Sequence, residues 1–209
     1  MKFFLKCIPW IILTVGTIVM IGSYLDIPLI TRLSPTWPSM KFPTALSFVF
    51  LGLAMICYQK TFVVKNGLEG RLSSMCIFPA LGLVLLPLLM LVAIFSPAFD
   101  YIFQIFPSEA SYDPYTVFPG SPSLVTLVLF MIIGAAHIQV LYNAASAPKI
   151  FSWVGAAALL AATVAFCGYL FHLPILFYSY KISAGMAVHT AFLFGLAGIY
   201  LRAVANLKN

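Results

Sequence analysis

Six apolar runs, each close to the length of a bilayer-crossing helix, dominate the chain: about 7–25, 43–59, 76–96, 123–142, 153–171 and 185–202. About 20 apolar residues in a helix cross a hydrocarbon layer roughly 30 Å thick. Inside that layer each backbone N–H and C=O needs an internal partner, which leaves helices or closed barrels as spanning structures. No run alternates polar and apolar residues at a period of two, as a barrel strand does. Charged residues make up 8% of the chain against 63% hydrophobic, too few to cover a soluble domain of this size. The expectation is an all-α integral membrane protein with six transmembrane helices in a lipid bilayer. Residues 1–209 would form a single transmembrane domain.

The basic residues give an expected orientation, because loops on the cytoplasmic side carry an excess of Lys and Arg. With the N-terminus inside, Lys2, Lys6, Lys60, Lys65, Arg71, Lys149, Arg202 and Lys208 are cytoplasmic, and only Arg32, Lys41 and Lys181 lie outside. Asp26, Asp100, Glu109 and Asp113 also fall outside. Both termini are therefore expected in the cytoplasm, with the bacterial inner membrane as the location. The net charge of +6 is read as this topology signal and not as a nucleic-acid surface. The opening "MKFFLK" has the look of a secretory leader, but no small-x-small cleavage site follows it, so the first run is kept as a helix.

An internal repeat shapes the expected architecture. "PTALSFVFLGLA", "VTLVLFMIIGAA" and "HTAFLFGLAGIY" share Thr-x3-Phe-x3-Gly, as Thr44/Phe48/Gly52, Thr126/Phe130/Gly134 and Thr190/Phe194/Gly198. Steps of four keep these residues on one helix stripe, where glycine lets backbones approach and threonine can bond within or between helices. The first and third copies match without a gap at an offset of 146, which carries Thr17 to Thr163, Gly22 to Gly168, Pro28 to Pro174 and Met40 to Met186. The chain then reads as three two-helix hairpin repeats, about 7–59, 76–142 and 153–202, all in the same orientation across the membrane. The middle hairpin has a longer outer loop, about 97–122. Pro79 and Pro87 are potential kinks in the third helix.

Few residues carry chemistry. The four cysteines (Cys7, Cys57, Cys76, Cys167) form no C-x-x-C pair and read as small buried hydrophobes. No nucleophile elbow, zinc-protease motif, phosphate loop or in-membrane carboxylate pair occurs, so no enzymatic role is expected. Glu69 reads as part of a solvated cytoplasmic turn. Trp10, Trp37, Trp153, Tyr169, Tyr178 and Tyr180 read as an interfacial aromatic belt. What remains is one layer of ionisable residues at the outer ends of the helices. His189 stands where the first copy has Pro43, His172 pairs with Asp26 at the repeat offset, and Lys181 and Asp100 lie in the neighbouring loops. His189, His172, Asp26 and Lys181 are the candidate ligand-binding residues, since histidine titrates near neutrality and binds metals readily. A haem b between His172 and His189 fits by depth, whereas His137 lies deeper in its helix.

The stretch Gly168-Tyr169-Leu170, Pro174, Met186-Ala187-Val188-His189-Thr190-Ala191 and Phe194 resembles the last hairpin of a six-helix bacterial membrane-associated sensor region. Pro43-Thr44-Ala45-Leu46-Ser47-Phe48 followed by Leu51-Gly52-Leu53-Ala54 resembles the same family. Such regions lie ahead of PAS, histidine-kinase or diguanylate-cyclase domains. The resemblance implies a sensory or signal-transducing module that works through a membrane partner or a cytoplasmic effector, here without an effector domain of its own. Two other functions fit the composition: an accessory or assembly subunit of a larger membrane complex, and a haem- or small-molecule-binding membrane protein or small transporter.

Overall fold

A computed structural model describes residues 2–63, 69–96, 106, 120–178 and 184–206. These form α1 (Lys2–Tyr24), a short α2 (Pro28–Thr31), α3 (Phe42–Tyr58), α4 (Glu69–Phe95), α5 (Leu124–Tyr142), α6 (Ala147–Leu170) and α7 (Val188–Asn206). A π-helical turn, Gln59–Val63, continues α3. Six of the helices are long and apolar enough to cross a membrane, and no strand occurs among the described residues. The apolar runs locate the spans to within a few residues. The larger differences are at starts: α4 begins at Glu69, so Glu69 opens a helix where a turn was expected, and α6 begins at Ala147. α4 stays helical through Pro79 and Pro87.

Burial divides the spans into two sets. In α3, α5 and α7, 61%, 50% and 56% of the span is buried, against 33%, 33% and 28% in α1, α4 and α6. The first three are an inner group. The outer three expose large apolar side chains such as Trp10, Phe78, Leu85, Trp153 and Leu160, as lipid contact requires. Each outer helix packs against the inner helix of its own hairpin and one other inner helix. Thus α1 lies on α3 and α7, α4 on α5 and α3, and α6 on α7 and α5.

The Thr-x3-Phe-x3-Gly stripes explain this arrangement. Phe48, Phe130 and Phe194 are fully buried and meet one another, with ring centroids 4.8, 5.0 and 4.9 Å apart. Each lies six residues past the start of its helix (Phe42, Leu124, Val188), so the three inner helices are in register about this aromatic cluster. One turn further on, the glycines admit the outer helices. A Cβ on Gly52 would sit 2.7 Å from Leu13 Cβ of α1, on Gly134 2.8 Å from Leu83 Cβ of α4, and on Gly198 2.7 Å from the Gly155 carbonyl of α6.

The turns that lead from α1 towards α3 and from α6 towards α7 also share their hydrogen bonds. Ile27 N–H donates to Gly22 O and Leu173 N–H to Gly168 O, both at 2.8 Å. Met40 N–H donates to Thr31 O at 2.8 Å and Met186 N–H to Phe177 O at 2.7 Å. Thr17 and Thr163 each return their hydroxyl to the carbonyl four residues back, Leu13 and Leu159.

Candidate functional site

α3, α5 and α7 begin at the same end of the bundle, and polar residues of their first turns form a buried layer there, called the mouth below. Thr44, Thr126 and Thr190 lie one turn before the phenylalanine cluster on the same stripe and are all buried. Ser123 caps α5: its Oγ accepts the Thr126 N–H at 3.2 Å and lies 2.6 Å from Thr126 Oγ1. Ser121, two residues earlier in the chain, is fully buried. The segment entering α3 contributes Lys41, whose Nζ donates to Ser39 Oγ at 2.7 Å, and Arg32 closes α2. Both cations are more than nine-tenths buried. Their burial was not expected, because in the sequence they counted only as outside charges. A buried cation needs nearby polar partners, and helix N-termini add a positive field. The triple-phenylalanine cluster packs one turn below this layer.

His189 sits within this layer, one residue into α7, and is half-buried. Its Nδ1 is fully enclosed and has no hydrogen-bond partner among the described residues. Enclosing an imidazole nitrogen without a partner costs free energy, on the order of 1–3 kcal/mol, so a ligand or ordered water that bonded it would be favoured.

The other three candidates are placed differently. Asp26 and His172 are exposed at the ends of α1 and α6, where both have positive φ, 50° and 54°. Each is the residue at which the helix reverses into a Schellman turn. Asp26 N–H donates to Ser23 O and His172 N–H to Tyr169 O, both at 3.4 Å, alongside the Gly22 and Gly168 bonds given above. Asp and His tolerate the left-handed region better than most side chains, which gives both a helix-ending role. Among the described residues, no hydrogen bond or ion pair joins Asp26, His172 and His189. Lys181 lies outside the described residues, as do Lys65, Asp100, Glu109, Asp113, Tyr180 and Lys208. No group of three or more His, Cys, Asp and Glu is placed to hold a metal among the described residues.

One member of the expected aromatic belt, Tyr169, is internal and a second, Trp37, is half-buried. Tyr169 is buried, stacks on Phe177 at 4.2 Å with a 5° interplanar angle, and donates its hydroxyl to the Met186 carbonyl. Trp37, from the loop of the first hairpin, packs on Tyr169 at 5.1 Å. These contacts tie the loop before α3 to the turn before α7 at the mouth end. Trp10 and Trp153 are the exposed tryptophans.

At the far end a second buried polar group was missed by the sequence reading. His137 of α5 is almost wholly enclosed, with Nδ1 2.9 Å from Ile133 O and its ring 5.1 Å from Phe151 and 6.5 Å from Tyr58. Its Nε2 is buried with no partner among the described residues. Nothing in the sequence separated it from an ordinary interior histidine, because its position matters only once α5 is known to be an inner helix.

Together these features define a six-helix, multi-pass membrane protein with three inner helices, a buried polar layer where those helices begin and an aromatic cluster beneath it. No family model, no curated protein and no solved structure matches the chain.

Proposed function

We propose that this protein is a membrane-embedded sensory module that receives a small polar ligand at the mouth of its inner helices and passes the signal through α7 to a partner. The observation that carries the reading is the buried, unpartnered Nδ1 of His189 in a hydroxyl- and cation-bearing layer directly above the Phe48/Phe130/Phe194 seal. A seal across the axis favours reception at the mouth over passage through the bundle. α7 carries both His189 at the mouth and Asn206 at the other end, so a small displacement of that one helix links the two faces. The resemblance of the last hairpin to bacterial sensor regions supports the same reading. In this proposal the three hairpins are copies of one unit, the mouth faces out of the bacterial inner membrane, and both termini are cytoplasmic.

The test is a comparison of whole-cell transcript profiles in a host lacking the gene. Deletion is expected to change a defined set of transcripts. Wild-type protein restores them, and His189→Ala does not, at equal membrane abundance. Full restoration by His189→Ala removes the mouth as the sensing site. A deletion without transcriptional effect removes the sensory reading.

A further inference from the structure

The turns that end α1 and α6 are apolar where a turn standing in water would be polar. The two spans end at Tyr24 and Leu170. Beyond them the exposed strip of α1 (Ile21, Tyr24) runs on through Leu25, Ile27 and Leu29, and that of α6 (Phe166, Leu170) through Phe171, Leu173 and Ile175. Exposure is greatest at the tips. Leu29 in α2 is 83% exposed, and Ile175, in a 3-10 turn at Pro174–Leu176, is 82% exposed. These two residues correspond at the repeat offset of 146. A contiguous exposed apolar surface marks contact with a membrane or with another protein.

Two observations favour the membrane. Each strip is continuous with the lipid-facing side of its own helix, so the same solvent that covers α1 and α6 reaches the turns without a break. The backbone of each turn is also closed upon itself. Leu25, Asp26 and Ile27 donate their N–H groups to Ile21, Ser23 and Gly22, and Pro28 has none to donate. Phe171, His172 and Leu173 donate to Cys167, Tyr169 and Gly168, and Pro174 again has none. Lipid tails cannot bond an open N–H, so a turn that satisfies its own donors is the form that hydrocarbon admits.

We propose that both turns are immersed in the leaflet at the mouth end, where Leu29 and Ile175 contact phospholipid acyl chains and anchor the ends of α1 and α6. Asp26 and His172, the single ionisable residue of each turn, limit the immersion to the level of the headgroups. The hydrogen bonds from Met40 to Thr31 and from Met186 to Phe177 tie these anchors to the segments that enter α3 and α7. The anchoring rests on the six-span fold and not on the sensing role proposed above.

The experiment places a nitroxide label at Leu29→Cys or Ile175→Cys in the full chain with its native cysteines replaced by serine, reconstituted in phosphatidylcholine vesicles. Power saturation of the electron spin resonance then compares collisions with oxygen, which dissolves in lipid, and with nickel ethylenediaminediacetate, which stays in water. Leu160→Cys, at an exposed position inside the α6 span, supplies the lipid reference. Oxygen collisions are expected to exceed nickel collisions severalfold at both turns, with a smaller excess than at position 160. Leu25→Cys and Leu173→Cys serve as second label positions, and all variants are checked for monodisperse elution and wild-type helix content. Nickel collisions in excess at either turn would place it in water and overturn the proposal. Few collisions with either reagent would mean that protein, from residues 97–119 or a second copy of the chain, covers the turn, and would overturn it too.

Discussion

Asp26 and His172 show how one residue can serve a fold while looking like part of a site. Both were singled out as outer-layer ionisable residues paired by the repeat, and both occupy the left-handed position that ends a helix. Glycine takes that conformation without strain, whereas other L-residues bear a cost of about 1 kcal/mol. Asp26→Gly and His172→Gly are therefore expected to raise stability by up to about 1 kcal/mol, read as the unfolding midpoint in detergent. A drop in midpoint for either would mean that its side chain makes a contact that matters. His137 invites the opposite kind of substitution. It occupies the position seven residues past Phe130 that Met55 holds past Phe48, and its Nε2 has no partner among the described residues. His137→Met should stabilise the bundle by about 1 kcal/mol in the same assay, because it removes an unsatisfied buried nitrogen from an aromatic setting. Loss of stability would indicate that the Nε2 is bonded in the membrane. The histidines were visible in the sequence; their environments were not, because helix periodicity does not tell which of six apolar helices is enclosed.

At the scale of the elements, the Thr-x3-Phe-x3-Gly stripe was the most informative pattern in the chain. It marked α3, α5 and α7 as packing helices, and these are the three that meet at Phe48, Phe130 and Phe194. Truncating any one of these rings to alanine should cost about 3 kcal/mol or more, and pairs should be non-additive because the rings share one contact. Additive losses in a double-mutant cycle would contradict a common cluster. The glycines allow a sharper comparison within a single helix. Gly198 faces the Gly155 carbonyl so closely that any Cβ must displace α6, while a Cβ on Gly195 would meet only Ala162 at an ordinary 3.7 Å. Gly198→Ala is expected to lower the unfolding midpoint and Gly195→Ala to leave it unchanged or raise it, since alanine is the better helix former. Equal effects would show that α6 and α7 approach less closely than this. The element boundaries were less legible: apolarity locates the part of a helix that meets lipid, whereas polar first turns such as Glu69–Ser74 of α4 carry no such signal.

For the whole molecule, the division into three inner and three outer helices makes sense of where the polar residues lie. A bundle with lipid all round has only its axis and its two ends for polar contacts. At one end are the threonine layer, the buried Arg32 and Lys41, and His189; towards the other is the enclosed His137. Six spans could be counted from hydropathy alone. The mouth could not, because it is assembled from the first turns of three helices that are far apart in sequence, and two of its residues, Arg32 and Lys41, looked like loop charges. The most direct measurement introduces His189→Cys or Ala197→Cys into a chain whose four native cysteines are serine, followed by labelling of intact cells with a membrane-impermeant thiol reagent. A water-filled mouth above an aromatic seal, facing out of the cell, predicts labelling at position 189 and none at position 197, three residues below Phe194. Labelling at position 197, or labelling at position 189 only in inverted membranes, would contradict it.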